Sequence, residues 1–190
     1  LDKREVAWKA NENGEFVAFP GLEWTKEWGH LNIYDPKTRH WPEDPAQFYQ
    51  AAADAGVVLK FNHPGDGSKT HDGLAYSEVG DRAVQLMEVR TEQEEQALVR
   101  ALNNGWHIAP EGSDDTHSAN WGNVRSWTGI LAPALTQRNI LDALEDPDGD
   151  GDRSQRRGLL RRHRTGALGR AGCGLRHGQR GAPAAADRHQ

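Results

Sequence analysis

The alternation of hydrophobic and polar positions predicts a series of strands and helices over residues 1–145. Apolar runs typical of strands lie at residues 15–24, 30–34, 57–61, 83–89 and 127–133. Helix start and stop signals lie at residues 2–14, 45–56, 91–105 and 136–144, with Pro45 and a Thr91–Glu94 capping box among the starts. Strands that alternate with helices indicate parallel βαβ units, so the predicted fold class is α/β, as a layered sheet or a barrel.

Polar side chains follow several of the predicted strands. Glu23 and His63 each come after a strand-like run, and so does the sequence DDTH at residues 114–117. Because the carboxyl ends of parallel strands form the active face of α/β folds, these side chains are expected to lie together. The Asp-x-His pair of Asp115 and His117 places a carboxylate and an imidazole within reach of one cation. The sequence therefore predicts a metal site.

Several candidates also have structural interpretations. Glu88, at the end of the 83–89 run, either orients a ligand or is a buried, hydrogen-bonded structural carboxylate. His30 and His63, each considered alone, are loop or capping residues. Asp114 turns or caps its loop. His40 and His71 are predicted to lie on the surface, and the alternation around His107 allows its side chain to point either inward or outward. Trp24, Trp28 and Trp121 are predicted to line the core or the cleft.

Charge and composition narrow the possible partners. The chain has 23 Lys and Arg against 28 Asp and Glu, which argues against a nucleic-acid partner. It has no run of about 18 apolar residues, so no membrane span is predicted. Its single cysteine, Cys173, excludes an internal disulfide. The first residue is Leu1 rather than Met, so the true start is expected to be missing and the compartment is undecided.

Residues 146–190 have a different composition. They contain ten Arg and five Asp but no Lys, Glu or aromatic residue, so they lack the apolar surface for a core and are predicted to be disordered. Such an Arg-rich tail fits either an arm that binds nucleic acid or an anionic surface, or a frameshift near Leu144. The opening DPDGDGD resembles a calcium loop, but Arg157 occupies the position of its essential Glu, which argues against calcium.

Five blocks of the sequence, in order, resemble the PHP (polymerase and histidinol phosphatase) superfamily of metal-dependent hydrolases, in its CehA/McbA-like branch. The blocks are GEFVAFPGLEWT, WGHLNIY, FYQAAADAGVVLKFNHPG, QLMEVRTEQEEQALVRALNNGWHIAPEGSDDTHSANWG and ILAPALTQRNILDAL. The resemblance implies a distorted (β/α)7 TIM-like barrel with two or three divalent metal ions, Mn, Zn or Fe, at its mouth. It further implies hydrolysis of a small-molecule phosphoester, or of a carboxyl or carbamate ester, by a metal-bridging hydroxide.

The resemblance also assigns roles to five residues. Glu23 would bridge two metals, His30 and His63 would be ligands, and Asp115 and His117 would close the site, with Glu23, Asp115 and His117 as catalytic residues. The family begins with a His-x-His motif, which this chain lacks. The resulting prediction is a partial PHP-type barrel at residues 1–145, a fragment without that motif, followed by the 146–190 tail. The alternative is an inactive barrel fragment or a non-catalytic binding module with an incomplete metal site.

Overall fold

Five α-helices, one short 3₁₀ helix (Asp72–Leu74) and five strands lie in the part of the chain that the computed structural model describes, residues 3–67, 71–119 and 126–146. The helices are α1 (Lys3–Ala10), α2 (Pro45–Ala55), α3 (Glu78–Asp81), α4 (Glu92–Asn104) and α5 (Gln137–Glu145). The strands are β1 (Gly21–Lys26), β2 (Gly29–Tyr34), β3 (Val58–Phe61), β4 (Val84–Glu88) and β5 (Ala109–Glu111).

The five strands form one mixed sheet in the order β1-β2-β3-β4-β5. β1 pairs antiparallel with β2, and β2 with β3, whereas β3 pairs parallel with β4, and β4 with β5. Since β1 and β5 lie at opposite edges, the described strands form an open sheet. The prediction of a partial distorted (β/α)7 TIM-like barrel is therefore wrong, and the fold is a small α/β domain with a mixed sheet.

The predicted series of parallel strands fails first at the β1–β2 connection. Only Glu27 and Trp28 separate the paired residues Lys26 and Gly29, which makes a two-residue hairpin. A parallel crossover needs a dozen residues or more, so this connection enforces antiparallel pairing. β2 and β3 are also antiparallel, although α2 lies between them. From β3 onward the predicted parallel pairing is confirmed.

Local contacts at the helix ends confirm the predicted helix positions. α2 starts after Asp44, whose carboxylate accepts a hydrogen bond from the Gln47 N–H, and ends at Gly56 in the left-handed conformation. α4 starts with a reciprocal capping box between Thr91 and Glu94. Each cap satisfies backbone N–H groups that the helix itself leaves without partners. The helix starts are therefore set by residues next to each other in the sequence.

Helices pack on both faces of the sheet. α2 and α4 cover one face, and the larger core between them and the strands contains Leu31, Ile33, Leu59, Phe61, Val84, Met87, Phe48, Tyr49, Ala52, Ala97 and Ala101. α5 covers part of the other face, where Leu144 packs against Val58 and Leu86. Lys60 lies between neighbours of that larger core on β3, so its side chain projects from the α5 face. The α5 face is therefore apolar beneath the helix and polar beyond it.

Two predicted strands differ from the structure. Residues 15–20 precede β1 without joining it, and Phe16 forms only an isolated bridge. Residues 127–133 form no strand. The Thr128 hydroxyl accepts a hydrogen bond from the Gly112 N–H and donates one to the Gly112 carbonyl. The short edge strand β5 corresponds to the strand-like run expected before residues 114–117, for which no bounds were predicted.

No helix among the described residues combines the length and the apolar character needed to cross a membrane. The predictions made for the tail, namely disorder, an Arg-rich arm, a frameshift and a calcium-like loop, concern residues 147–190 almost entirely. That segment lies outside the described residues.

Candidate metal centre

The β1–β2 hairpin brings two of the predicted ligands together. Glu23 pairs with Asn32 across the hairpin, and His30 lies two residues before Asn32 on β2. Alternate residues of a strand share a face, and so do residues paired across an antiparallel ladder, so Glu23 and His30 project from the same face. The Nδ1 atom of His30 lies 3.2 Å from Oε1 of Glu23.

His63 reaches the same place from the end of β3. The Asn62 N–H donates to the carbonyl of His30 at 3.0 Å, so the residues that follow β3 lie beside the start of β2. The Nε2 atom of His63 is 3.8 Å from Oε1 of Glu23, and the His30 and His63 ring centroids are 4.6 Å apart. Glu23, His30 and His63 each offer one ligand atom, and these atoms lie within 4.8 Å of one another.

The buried side chain of Asn62 holds the Glu23 carboxylate in place. Its Nδ2 atom donates to Oε1 of Glu23 at 3.1 Å and to Oδ1 of Asn32 at 2.9 Å. A hydrogen bond to an ionised carboxylate is roughly twice as strong as one between neutral groups. Asn62 therefore orients the carboxylate toward the two histidines.

A buried network of charged side chains lies behind His63. Glu88, the last residue of β4, is 1% exposed, and its Oε2 atom accepts a hydrogen bond from the His63 backbone N–H at 2.6 Å. Its Oε1 atom accepts a short hydrogen bond from the Ser113 hydroxyl and lies 3.8 Å from Nζ of Lys60. Lys60 is also buried, and its Nζ lies 2.8 Å from Oε2 of Glu111. One buried cation thus faces two carboxylates, as buried charges require.

The two histidines open into a cavity of about 440 Å³, whose wall includes Asp66, Arg90, Glu94 and Asp115. The Arg90 guanidinium donates two hydrogen bonds to Oε1 of Glu94, at 3.2 and 2.8 Å. Burial alone would raise the pKa of Glu94, but hydrogen bonds from the Arg90 side chain and backbone hold that pKa below its usual value. The cavity wall consequently carries one arginine, which is paired with Glu94, and the further acidic side chains of Asp66 and Asp115. This excess of acidic groups favours a cation.

Asp115 and His117, the other two predicted ligands, are separate from the three-residue group. Asp115 lines the cavity, but neither residue supplies an atom to the group whose members lie within 4.8 Å. Nε2 of His117 lies 3.1 Å from Oδ1 of Asp115, and the His117 side chain is 81% exposed. The two side chains contact each other at the cavity rim, and their metal-binding and catalytic roles stay predictions.

His71, predicted to lie on the surface, is buried at 2% exposure, so that prediction is wrong. Its Nε2 atom lies 3.1 Å from the carbonyl oxygen of Asn62, and its ring contacts Phe61. Burial lowers the pKa of His71 to about 4, against the opposing effect of the hydrogen bond with Asn62. His71 is therefore a neutral packing residue beneath the loop that carries His63.

The other candidates occupy structural positions. The ring of His107 lies 2.7 Å from the Asp81 carboxylate, which also accepts the His107 backbone N–H. His40 is exposed, as predicted. Asp114 accepts a hydrogen bond from the Thr116 hydroxyl, Trp24 and Trp28 pack against the larger core, and Trp121 lies outside the described residues.

Three residues that shape the site were not predicted from the sequence: Lys60, Asn62 and Ser113. A signal existed for Lys60, since a single cation inside the apolar run VVLKF predicts a buried counter-charge. For Asn62 the only signal was its place next to His63 after a strand. For Ser113 the sequence carried none, because its role depends on contacts with distant strands.

The donor set fits the divalent metal implied by the family resemblance. One carboxylate and two imidazoles are ligands that zinc, iron and manganese accept, and three protein ligands leave coordination positions open for water or substrate. The Nδ1 atom of His63 is buried and has no hydrogen-bond partner among the described residues. Buried polar atoms are almost always satisfied, so such an atom next to a ligand group is consistent with a further interaction there.

Comparisons of the chain with protein-family models, with curated proteins and with solved structures found no match. The resemblance to the PHP superfamily is therefore still a prediction from sequence motifs. A functional assignment has to rest on the residues described above.

Proposed function

We propose that this protein binds a divalent metal ion through Glu23, His30 and His63, and that it is a metal-dependent hydrolase of phosphoesters or of carboxyl or carbamate esters. The observation that carries the proposal is the convergence of these three side chains. They come from two strands and a loop, their ligand atoms lie within 4.8 Å of one another, and the histidines open into a cavity of about 440 Å³.

Each residue of the group has a defined role in the proposal. Glu23 supplies the negative charge that offsets part of the dication, and His30 and His63 supply neutral nitrogen ligands. Asn62 holds the Glu23 carboxylate toward them. When bound, the metal acts as a Lewis acid and lowers the pKa of a water molecule coordinated to it. We assign proton acceptance during hydrolysis to Asp115, which lines the same cavity.

Metal binding is tested on the full chain after treatment with EDTA, by titration calorimetry and thermal unfolding with Zn²⁺ or Mn²⁺. A metal that binds only the native state stabilises it by about 2.7 kcal/mol at a free concentration of 100 Kd. We expect Glu23→Gln, His30→Ala and His63→Ala each to abolish the rise in melting temperature. His40→Ala, an exposed histidine in a loop, is the matched control and should keep it. A wild-type protein that neither metal stabilises contradicts the proposal.

Hydrolysis is tested with p-nitrophenyl phosphate and p-nitrophenyl acetate as probes, with and without added Mn²⁺ or Zn²⁺. We expect a metal-dependent rate that Glu23→Gln and Asp115→Asn remove and that His40→Ala leaves unchanged. Activity that persists in EDTA, or in Glu23→Gln, excludes hydrolysis at this site.

A non-catalytic metal-binding module is the second candidate. The observation that favours it is the position of His117, which is largely exposed and outside the three-residue group. If the protein is such a module, the wild type binds metal and the Glu23 and His63 variants lose that binding. Neither ester is hydrolysed at any metal concentration. The two assays together separate the candidates.

A further inference from the structure

We propose that Glu88 is a positioning residue that fixes His63 for metal binding through the His63 backbone N–H. The inference rests on the proposed function, because it concerns a ligand of that same site. Glu88 itself lies behind the ligand group and is not among its members. Its carboxylate touches the backbone of the loop that carries the ligand.

The contact between Glu88 and His63 is the first support. The Glu88 Oε2 atom accepts the His63 N–H at 2.6 Å, and the carboxylate is 1% exposed. A hydrogen bond from an amide to an ionised, desolvated carboxylate is short and strong. It joins the end of β4 to the loop after β3, two segments that are adjacent through the parallel β3–β4 pairing.

The backbone of His63 shows why such a contact is needed. His63 has φ of +32°, outside the regions that residues with a Cβ favour, and Pro64 follows it. A residue before proline is further restricted toward extended conformations. Unusual backbone geometry persists only when the surroundings determine it more than once, and it clusters at functional sites. The Glu88 hydrogen bond is one such determinant at the residue that provides a proposed ligand.

Glu88 also connects His63 to the loop that carries Asp115. Its second oxygen accepts the Ser113 hydroxyl, and the Lys60 ammonium, 3.8 Å away, donates to the same hydroxyl at 3.0 Å. A carboxylate needed only for charge balance against Lys60 would not have to contact the His63 backbone, and Glu111 shows this. Glu111 lies closer to Lys60, at 2.8 Å, yet within the described part of the chain its side chain makes no hydrogen bond to the loop that carries His63.

Each substitution removes one carboxylate charge from beside Lys60, but only Glu88→Gln changes the hydrogen-bond acceptor of the His63 N–H. Glu111→Gln is therefore the matched control for Glu88→Gln. The first measurement is metal affinity and the visible spectrum of the Co²⁺-loaded protein. Loss of a residue that orients a metal ligand typically weakens metal binding about 10- to 100-fold. We expect that loss and an altered Co²⁺ spectrum in Glu88→Gln, and wild-type values in Glu111→Gln.

The second measurement needs no metal. In the metal-free wild type the His63 amide proton should be shifted downfield and exchange slowly with solvent, and Glu88→Gln should move that resonance upfield while Glu111→Gln does not. If Glu88→Gln fails to fold, the wild-type resonance alone decides: a solvent-like His63 amide overturns the inference. Equal metal affinities in wild type and Glu88→Gln also overturn it and leave the proposed function intact. If the wild type binds no metal, the proposed function fails, and the amide resonance still decides whether Glu88 holds His63.

Discussion

Replacing Lys60 by Met should strongly destabilise the domain, because Met keeps most of the apolar stem and removes only the buried cation. Nζ of Lys60 lies 2.8 Å from Glu111 and 3.8 Å from Glu88, and the side chain is 3% exposed. Without it, two carboxylates would remain in the interior with less compensation. The free energy of unfolding should fall for this reason.

The magnitude follows from what the two carboxylates retain. Removing one partner of a buried ion pair typically costs about 3–5 kcal/mol. Glu88 keeps the Arg90 guanidinium at 3.3 Å, and the Glu111 side chain is 15% exposed, so some solvation remains. We therefore expect the lower end, about 3 kcal/mol. For a chain of this size each kcal/mol shifts the melting temperature by roughly 2–4 °C, which gives about 6–12 °C here.

Urea unfolding followed by both circular dichroism and tryptophan fluorescence measures this loss, and coincident transitions establish two-state behaviour. Lys9→Met is the control, because Lys9 and Glu5 form an exposed ion pair worth well under about 1 kcal/mol. The double variant Lys60→Met/Glu111→Gln should recover part of the loss, since it removes one of the uncompensated charges. A Lys60→Met protein within 1 kcal/mol of wild type, or a double variant no better than the single one, would refute the reasoning.

Three further predictions concern packing, protonation and capping. Gly29→Ala should destabilise the domain by about 1–3 kcal/mol, since a Cβ at this position would lie 2.2 Å from Nδ1 of His71. Gly21→Ala is the control: its Cβ would meet nothing closer than 3.9 Å, and the variant should be close to neutral in the same urea assay. Burial lowers the pKa of His71 to about 4, so the unfolded chain binds a proton that the native state excludes. In EDTA, the free energy of unfolding should accordingly fall by about 3 kcal/mol as pH drops from 6.5 to 4. His71→Asn should make this dependence on pH less steep. An equally steep dependence in both proteins would contradict the prediction. Thr91→Ala should cost about 1 kcal/mol through loss of the α4 cap, and an unchanged urea midpoint would show that the cap contributes nothing.

The features predicted from the sequence were those fixed by neighbouring residues. The Asp44 and Thr91 caps depend on atoms within one helical turn, so their helices were placed well. Glu23 and His63 were identified because each follows a strand-like run, and His30 was identified through the family resemblance. The structure brings all three together.

The features that were missed depend on contacts between distant segments. Whether a sheet closes is decided by strand pairing across the whole domain, and the antiparallel β2–β3 pair has no local signature. The burial of His71 depends on packing against Gly29, more than 40 positions earlier in the chain. Its sequence neighbours are polar, so local reasoning placed it on the surface. The same holds for Ser113, whose partners are Lys60 and Glu88.

The location of the ligand group has a consequence for local stability. Two of its members lie on the hairpin at the edge of the sheet, and the third follows the central strand β3. Segments with few buried apolar contacts open most readily without global unfolding, and β1, at the sheet edge, contains no buried residue. A cation held by all three side chains would join the edge hairpin to the loop that follows β3. Amide hydrogen exchange should then slow selectively in the hairpin on metal addition, while the rate within α4, which contributes no ligand, stays the same.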